Sequence, residues 1–218
     1  MIITWYGQSC FKIQSGDSTV AIDPFAKEIG LTPPRFRSDI ILVTHGHPDH
    51  SNVESLPEGG MRITEPGEYE VNSVSIRGIP TYHDTSKGAE RGINTIYVLD
   101  WEDIRILHMG DFGESEVREE TLEQVGDIDI LLIPVGGIYT IDGKIAARII
   151  RQIEPKKVIP MHYKIPGLKV TLNGVEDFIK EMGVEKPAPL EKLVIKKKDF
   201  PESGGSAELV LLEPLASK

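Results

Sequence analysis

A chain of 218 residues with 39% apolar and 27% charged side chains can bury a sizeable core, and that balance excludes a disordered or fibrous protein. Its formal charge of -10, from 34 acidic against 24 basic residues, repels phosphate backbones and anionic lipid, so nucleic acid is a disfavoured partner. Cys10, the one cysteine, excludes an internal disulfide and suits a reducing compartment. With no basic leader and no bilayer-length apolar run, the chain is expected to be cytoplasmic, off the membrane, and folded as one domain over residues 1–218.

Short β-branched runs split by Gly and Pro predict strands at residues 2–6, 10–14, 19–23, 39–44, 61–64, 73–79, 93–100 and 103–109. Further strands are expected at 129–134, 156–161, 192–197 and 207–213. Between these runs, residues 115–125 have helical spacing, with Val117, Leu122 and Val125 on one side behind an acidic start. Asp142 is expected to cap a second helix striped with Ile145, Ala146, Ile149, Ile150 and Ile153. Asn173 is expected to cap a third, with Val175, Phe178, Ile179 and Met182 inward. Lys196, Lys197 and Lys198 beside Asp199 read as a solvated hairpin edge, and ESGGS at 202–206 as a flexible turn. The segments 129–134 and 156–161 are almost continuously apolar, as strands buried on both faces are. Two packed sheets covered by helices, an α+β class, fit the pattern.

The chemistry concentrates in ILVTHGHPDHS, residues 41–51, which holds three of the six histidines and a carboxylate within six positions. His45 and His47 are two apart after an apolar run, so an extended backbone points both imidazoles to one side. Gly46 leaves freedom to bend, and Pro48 can open a helical turn that brings Asp49 and His50 to an adjacent point. Imidazole and carboxylate are the ligands that zinc and related metals take. Asp23, His83, Asp111 and His162 each stand just past an apolar strand as well, so the candidates gather at one edge.

H-x-H-x-D-H after a strand, Asp23 in VAIDP, His83, Asp111 in HMGD and His162 in PMH together resemble the ordered signatures of the metallo-β-lactamase superfamily. TWYGQSCFKI and IPVGGIYTID resemble its branch of small prokaryotic zinc-dependent hydrolases related to sugar-phosphate lactonases, which usually carries His where this chain has Gln8. The resemblance implies a four-layer αββα sandwich, two mixed sheets covered by helices. It implies two divalent metal ions, zinc foremost, with manganese or iron also accepted by such ligands. His45, His47 and His83 would hold one, Asp49, His50 and His162 the other, and Asp111 would bridge them. Asp23 would sit behind, accepting an imidazole N–H and fixing its tautomer.

His108 shares a strand face with Ile104 and Ile106, opposite Asp111, and reads as structural. Of Tyr82, Tyr139 and Tyr163, Tyr139 is the best candidate to touch substrate, since it follows Gly136 and Gly137 at a strand end. The expected reaction is hydrolysis of an ester, lactone or phosphoester of a small molecule by a hydroxide shared between two metals, oriented by Asp49 and Asp111. A nuclease, an iron oxidoreductase and a metal- or ligand-binding module without catalysis are the alternatives.

Overall fold

Every second residue of the first strand is buried, as a strand with one face on a core requires. The computed structural model describes residues 1–201 and 206–215. Strands β1 (Ile2–Gly7), β2 (Cys10–Ser15) and β3 (Ser18–Ile22) form an antiparallel meander, to which β4 (Ile40–Leu42) and β5 (Met61–Ile63) add in parallel. A second sheet begins with the antiparallel strands β6 (Gly67–Val71), β7 (Val74–Tyr82), β8 (Ile93–Trp101) and β9 (Ile104–His108). It continues in parallel through β10 (Ile130–Pro134) and β11 (Lys157–Met161), both wholly buried. The short β12 (Leu193–Val194) then closes the first sheet beside β1, and β13 (Glu208–Leu209) edges the second beside β11.

The core lies between the sheets and contains Trp5, Phe11, Tyr97, Ile106 and Leu132, all fully buried. Each such aliphatic or aromatic side chain contributes roughly 1.5–3 kcal/mol by leaving water. Two bonds clip the sheets together at one edge. Tyr97 Oη on β8 donates to Val43 O (3.0 Å), and Thr95 N donates to Thr44 O (2.8 Å).

Helix α1 spans Glu119–Val125, α2 spans Gly143–Ile153 and α3 spans Glu176–Met182. Asp142 caps α2 as expected, its Oδ1 accepting from Ile145 N (2.9 Å). On the outer face of the first sheet, Ala21 and Ile41 are covered by Phe36, Val53 and Leu56, from loops and a 3-10 turn rather than an α-helix.

Several expectations need correction. The first helix begins at Glu119 instead of residue 115, because Val117 N is taken by Gln152 Oε1 (3.2 Å) and Ser115 O by Arg148 (2.7 Å). Asn173 does not cap α3. Its backbone binds Gly136 O (2.9 Å) and Lys164 N (2.8 Å), and the helix starts three residues later without a side-chain cap. The lysine run is a 3-10 turn closed by Asp199 on Lys196 N (2.8 Å), with Lys197 Nζ 3.0 Å from Asp129. Strand β6 was not expected, because its GEYEV alternation is polar. Asn72 and Ser73, both at positive φ, turn it tightly into β7. Of the turn expected at 202–206, residues 202–205 lie outside those described. No helix of the described residues is long and apolar enough to cross a membrane.

Candidate metal centre

The parallel pairing of β3 with β4 brings Asp23, just past one strand, against the residues that follow the other. Asp23 Oδ1 accepts from Thr44 N (2.8 Å) and Oδ2 from Thr44 Oγ1 (2.7 Å), which ends β4 earlier than its apolar run suggested. His50 N and Ser51 N both donate to His47 O (2.9 and 3.0 Å), so residues 47–51 form the expected turn. Gly46 is not needed for the bend: its φ is not positive and a Cβ there would meet nothing within 4 Å. His83 follows β7, Asp111 follows β9 and His162 follows β11 with φ 51.

All seven predicted side chains converge. They form two groups, His45 with His47 and His83, and Asp49 with His50, Asp111 and His162, whose ligand atoms lie within 4.8 Å of one another in each group. Asp111 reaches both. Its Oδ2 lies 3.3 Å from His83 Nε2 and 3.3 Å from His162 Nε2, and its Oδ1 lies 3.2 Å from His50 Nε2. The rings of His45 and His47 are 4.6 Å apart, as their two-residue spacing predicted.

Hydrogen bonding fixes which nitrogen of two imidazoles is free. Thr44 Oγ1 has one hydrogen, given to Asp23, so at 3.0 Å it accepts from His45 Nδ1–H. His50 Nδ1–H donates to Asp23 Oδ2 (2.8 Å). Asp23 therefore sets both tautomers, one directly and one through Thr44, and leaves Nε2 of each ring facing the cluster. Both Nε2 atoms are buried without a hydrogen-bond partner among the described residues. Orphaned imidazole nitrogens beside carboxylates are the donor set that zinc, manganese or iron takes.

Electrostatics favour a cation here. Burial is the largest influence on His50 and opposes its charge, yet Asp111 and Asp23 together outweigh it and raise its pKa well above 6.5. Burial, then the neighbouring His50, push His45 down to about 3, which keeps it neutral as a ligand must be. Burial also lowers His47, followed by His83. For Asp111 burial acts upward, but His162 and His50 prevail and hold the carboxyl well below its usual range.

Residues that sequence reasoning missed steady the cluster. Asn94 Oδ1 accepts from Asp111 N (2.9 Å), while its Nδ2 donates to Thr81 Oγ1 and Met109 O. An amide inside the apolar run of β8 was its signal. Gly110, at φ 54, leaves no room for a side chain, because a Cβ would stand 2.3 Å from Asn94 Oδ1. Ser9 Oγ donates to Asp111 Oδ1 (3.4 Å), and Gln8, a position the sequence singles out without a role, donates from Nε2 to Asp49 Oδ2 (2.9 Å).

His108 stands apart, as its strand face implied: Nε2 donates to Ser9 O (2.9 Å) and Nδ1 accepts from Gly110 N (3.1 Å). Cys10 is buried, which pushes its thiol pKa up. Tyr163 packs on Trp5 at 5.0 Å and is buried, and Arg118 lies over Tyr82. Tyr139 is 39% exposed on the loop beside His162, with Arg91 5.8 Å over its ring.

Comparison with known proteins adds three findings. Residues 2–162 match the model of the beta-lactamase superfamily domain. A Thermococcus onnurineus protein named a UPF0173 metal-dependent hydrolase is 30% identical over 188 residues, covering 74% of this chain and 84% of that one. A Thermotoga maritima structure, whose name proposes a Zn-dependent hydrolase of the metallo-beta-lactamase superfamily, is 32% identical, covers 97% of each chain and superposes with a TM-score of 0.79.

Proposed function

Because the chain belongs to the beta-lactamase superfamily, we propose that it is a hydrolase that holds two divalent metal ions, zinc foremost, and cleaves an ester, lactone or phosphoester of a small molecule in the cytoplasm. Asp111 carries this reading: one buried carboxylate lies 3.3 Å from imidazole nitrogens of both groups. His45, His47 and His83 would hold one ion, and Asp49, His50 and His162 the other, with Asp111 serving both. The names of the Thermococcus and Thermotoga relatives support hydrolysis and metal dependence.

When bound, such ions polarise the scissile bond and lower the pKa of water from about 15.7 to about 7, which supplies a nucleophile at neutral pH. The chain's own groups position and relay. Asp23 keeps protons on Nδ1 of His45 and His50, so in each neutral ring the free nitrogen is Nε2, on the cluster side. Asp49, whose side chain is 23% exposed, is open to the entering substrate and can take the proton of the attacking water and hand it to the leaving group. Tyr139, exposed on the loop whose Gly136 abuts His162 O, would meet the body of the substrate.

Stripping the purified protein with a chelator and restoring zinc, manganese or iron singly, against a panel of lactones, thioesters and phosphodiesters, tests the proposal. Turnover is expected to vanish on stripping and to return fully near two equivalents of metal. Hydrolysis that survives stripping would refute metal dependence, and full activity at one equivalent would refute the shared centre.

A further inference from the structure

Gln8 sits at the reversal from β1 to β2, fully buried and at φ 51. Its backbone oxygen accepts from Trp5 Nε1 (3.0 Å) and from His162 N (3.0 Å), so the residue is tied to the core on one side and to the cluster on the other. Nε2 donates to Asp49 Oδ2 (2.9 Å). A carboxylate only accepts, so this bond decides which end of the amide faces Asp49. The other end is left over. Oε1 is buried and has no hydrogen-bond partner among the described residues. A buried amide oxygen without a donor is destabilising, and its survival calls for a donor from elsewhere. Nε2 and Oε1 hang on one carbon and Nε2 touches Asp49, so a donor that reaches Oε1 stands near Asp49, which is grouped with His50, Asp111 and His162.

We propose that Gln8 is a positioning and specificity residue whose Nε2 holds Asp49 while Oε1 accepts a hydrogen bond from a hydroxyl on the substrate beside its scissile bond. The inference rests on the hydrolase reading and narrows it: hydroxy-esters and hydroxy-lactones are preferred over their deoxy counterparts. A site with a buried acceptor discriminates in this way because the deoxy substrate leaves that acceptor unpaired. A neutral imidazole offers the same pair of one donor and one acceptor, whereas a thioether of similar length offers neither.

Three measurements test this on wild-type, Gln8→Met and Gln8→His protein loaded with zinc. Turnover of α-hydroxy-γ-butyrolactone is compared with that of γ-butyrolactone. Calorimetric binding of 2,4-dihydroxybutyrate is compared with that of 4-hydroxybutyrate, and zinc affinity is read by competition with a chelator. The hydroxyl preference is expected to fall about tenfold in Gln8→Met and to persist in Gln8→His, with zinc held about tenfold more weakly only in Gln8→Met. Any contact between the hydroxyl and zinc itself is common to all three proteins and cancels in the comparison. An unchanged preference in folded Gln8→Met overturns the proposal. Should that variant not fold, a wild-type protein indifferent to the hydroxyl in binding overturns it equally. If neither lactone is hydrolysed, the fault lies with the lactone reading, and the calorimetric pair still decides the role of Oε1.

Discussion

Among the described residues, His45, His47 and His83 are braced by one side-chain hydrogen bond, from His45 to Thr44, and His47 is exposed. Asp49, His50, Asp111 and His162 are buried or nearly so, and Gln8, Ser9 and Asp23 bond directly to their side chains. Asn94 fixes the backbone of Asp111 as well. One half is open and lightly held, the other enclosed and wired. The difference teaches that two ions bound here would not be equivalent: the enclosed half would retain its metal, and the open half would exchange its metal more readily.

Asp111→Asn should hurt most, because that carboxylate is common to both halves. Removing a ligand exceeds the 10–100-fold typical of removing a ligand's partner, so turnover should drop by more than about a hundredfold, with both sites losing metal in a titration. Loss from one half alone would break the symmetry assigned to Asp111. Next, Asp23→Asn should weaken metal binding in the enclosed half by about 10–100-fold through His50, and in the open half less, since the effect there passes through Thr44. Equal losses by calorimetry would erase the contrast.

The smallest effect is a pH dependence that should differ between halves. His50, raised well above 6.5, carries a proton at neutral pH that a metal must displace. Affinity in the enclosed half should therefore fall by up to about tenfold for each unit the pH drops below that raised value. His45, pushed down to about 3, and His47, lowered from 6.5, are neutral at pH 7 and cost no proton. His45 and His47 should thus add almost no pH dependence to binding in the open half from pH 8 to 7. Parallel slopes for the two sites would contradict these opposite shifts.

The strand sequence and both sheets were legible because apolar runs and Gly or Pro breaks are local signals. The polar hairpin strand β6 was not, since its stability comes from pairing with β7 along one edge. Asn173 looked like a cap from its neighbours alone, but backbone bonds to Gly136 and Lys164 claim it. Asn94, Ser9 and Thr44 escaped notice for the same reason: their partners are chosen by how strands stack.

By itself the sequence determined which side chains gather, because residues two or three apart, or just past the end of an apolar strand, have directions set by local backbone geometry. Their division into two groups followed from the family resemblance, and only the tertiary structure decided how they are held. Gln8 reaches Asp49 across 41 positions and Ser9 reaches Asp111 across 102, and contacts of that separation depend on the packing of two sheets, which no local spacing encodes.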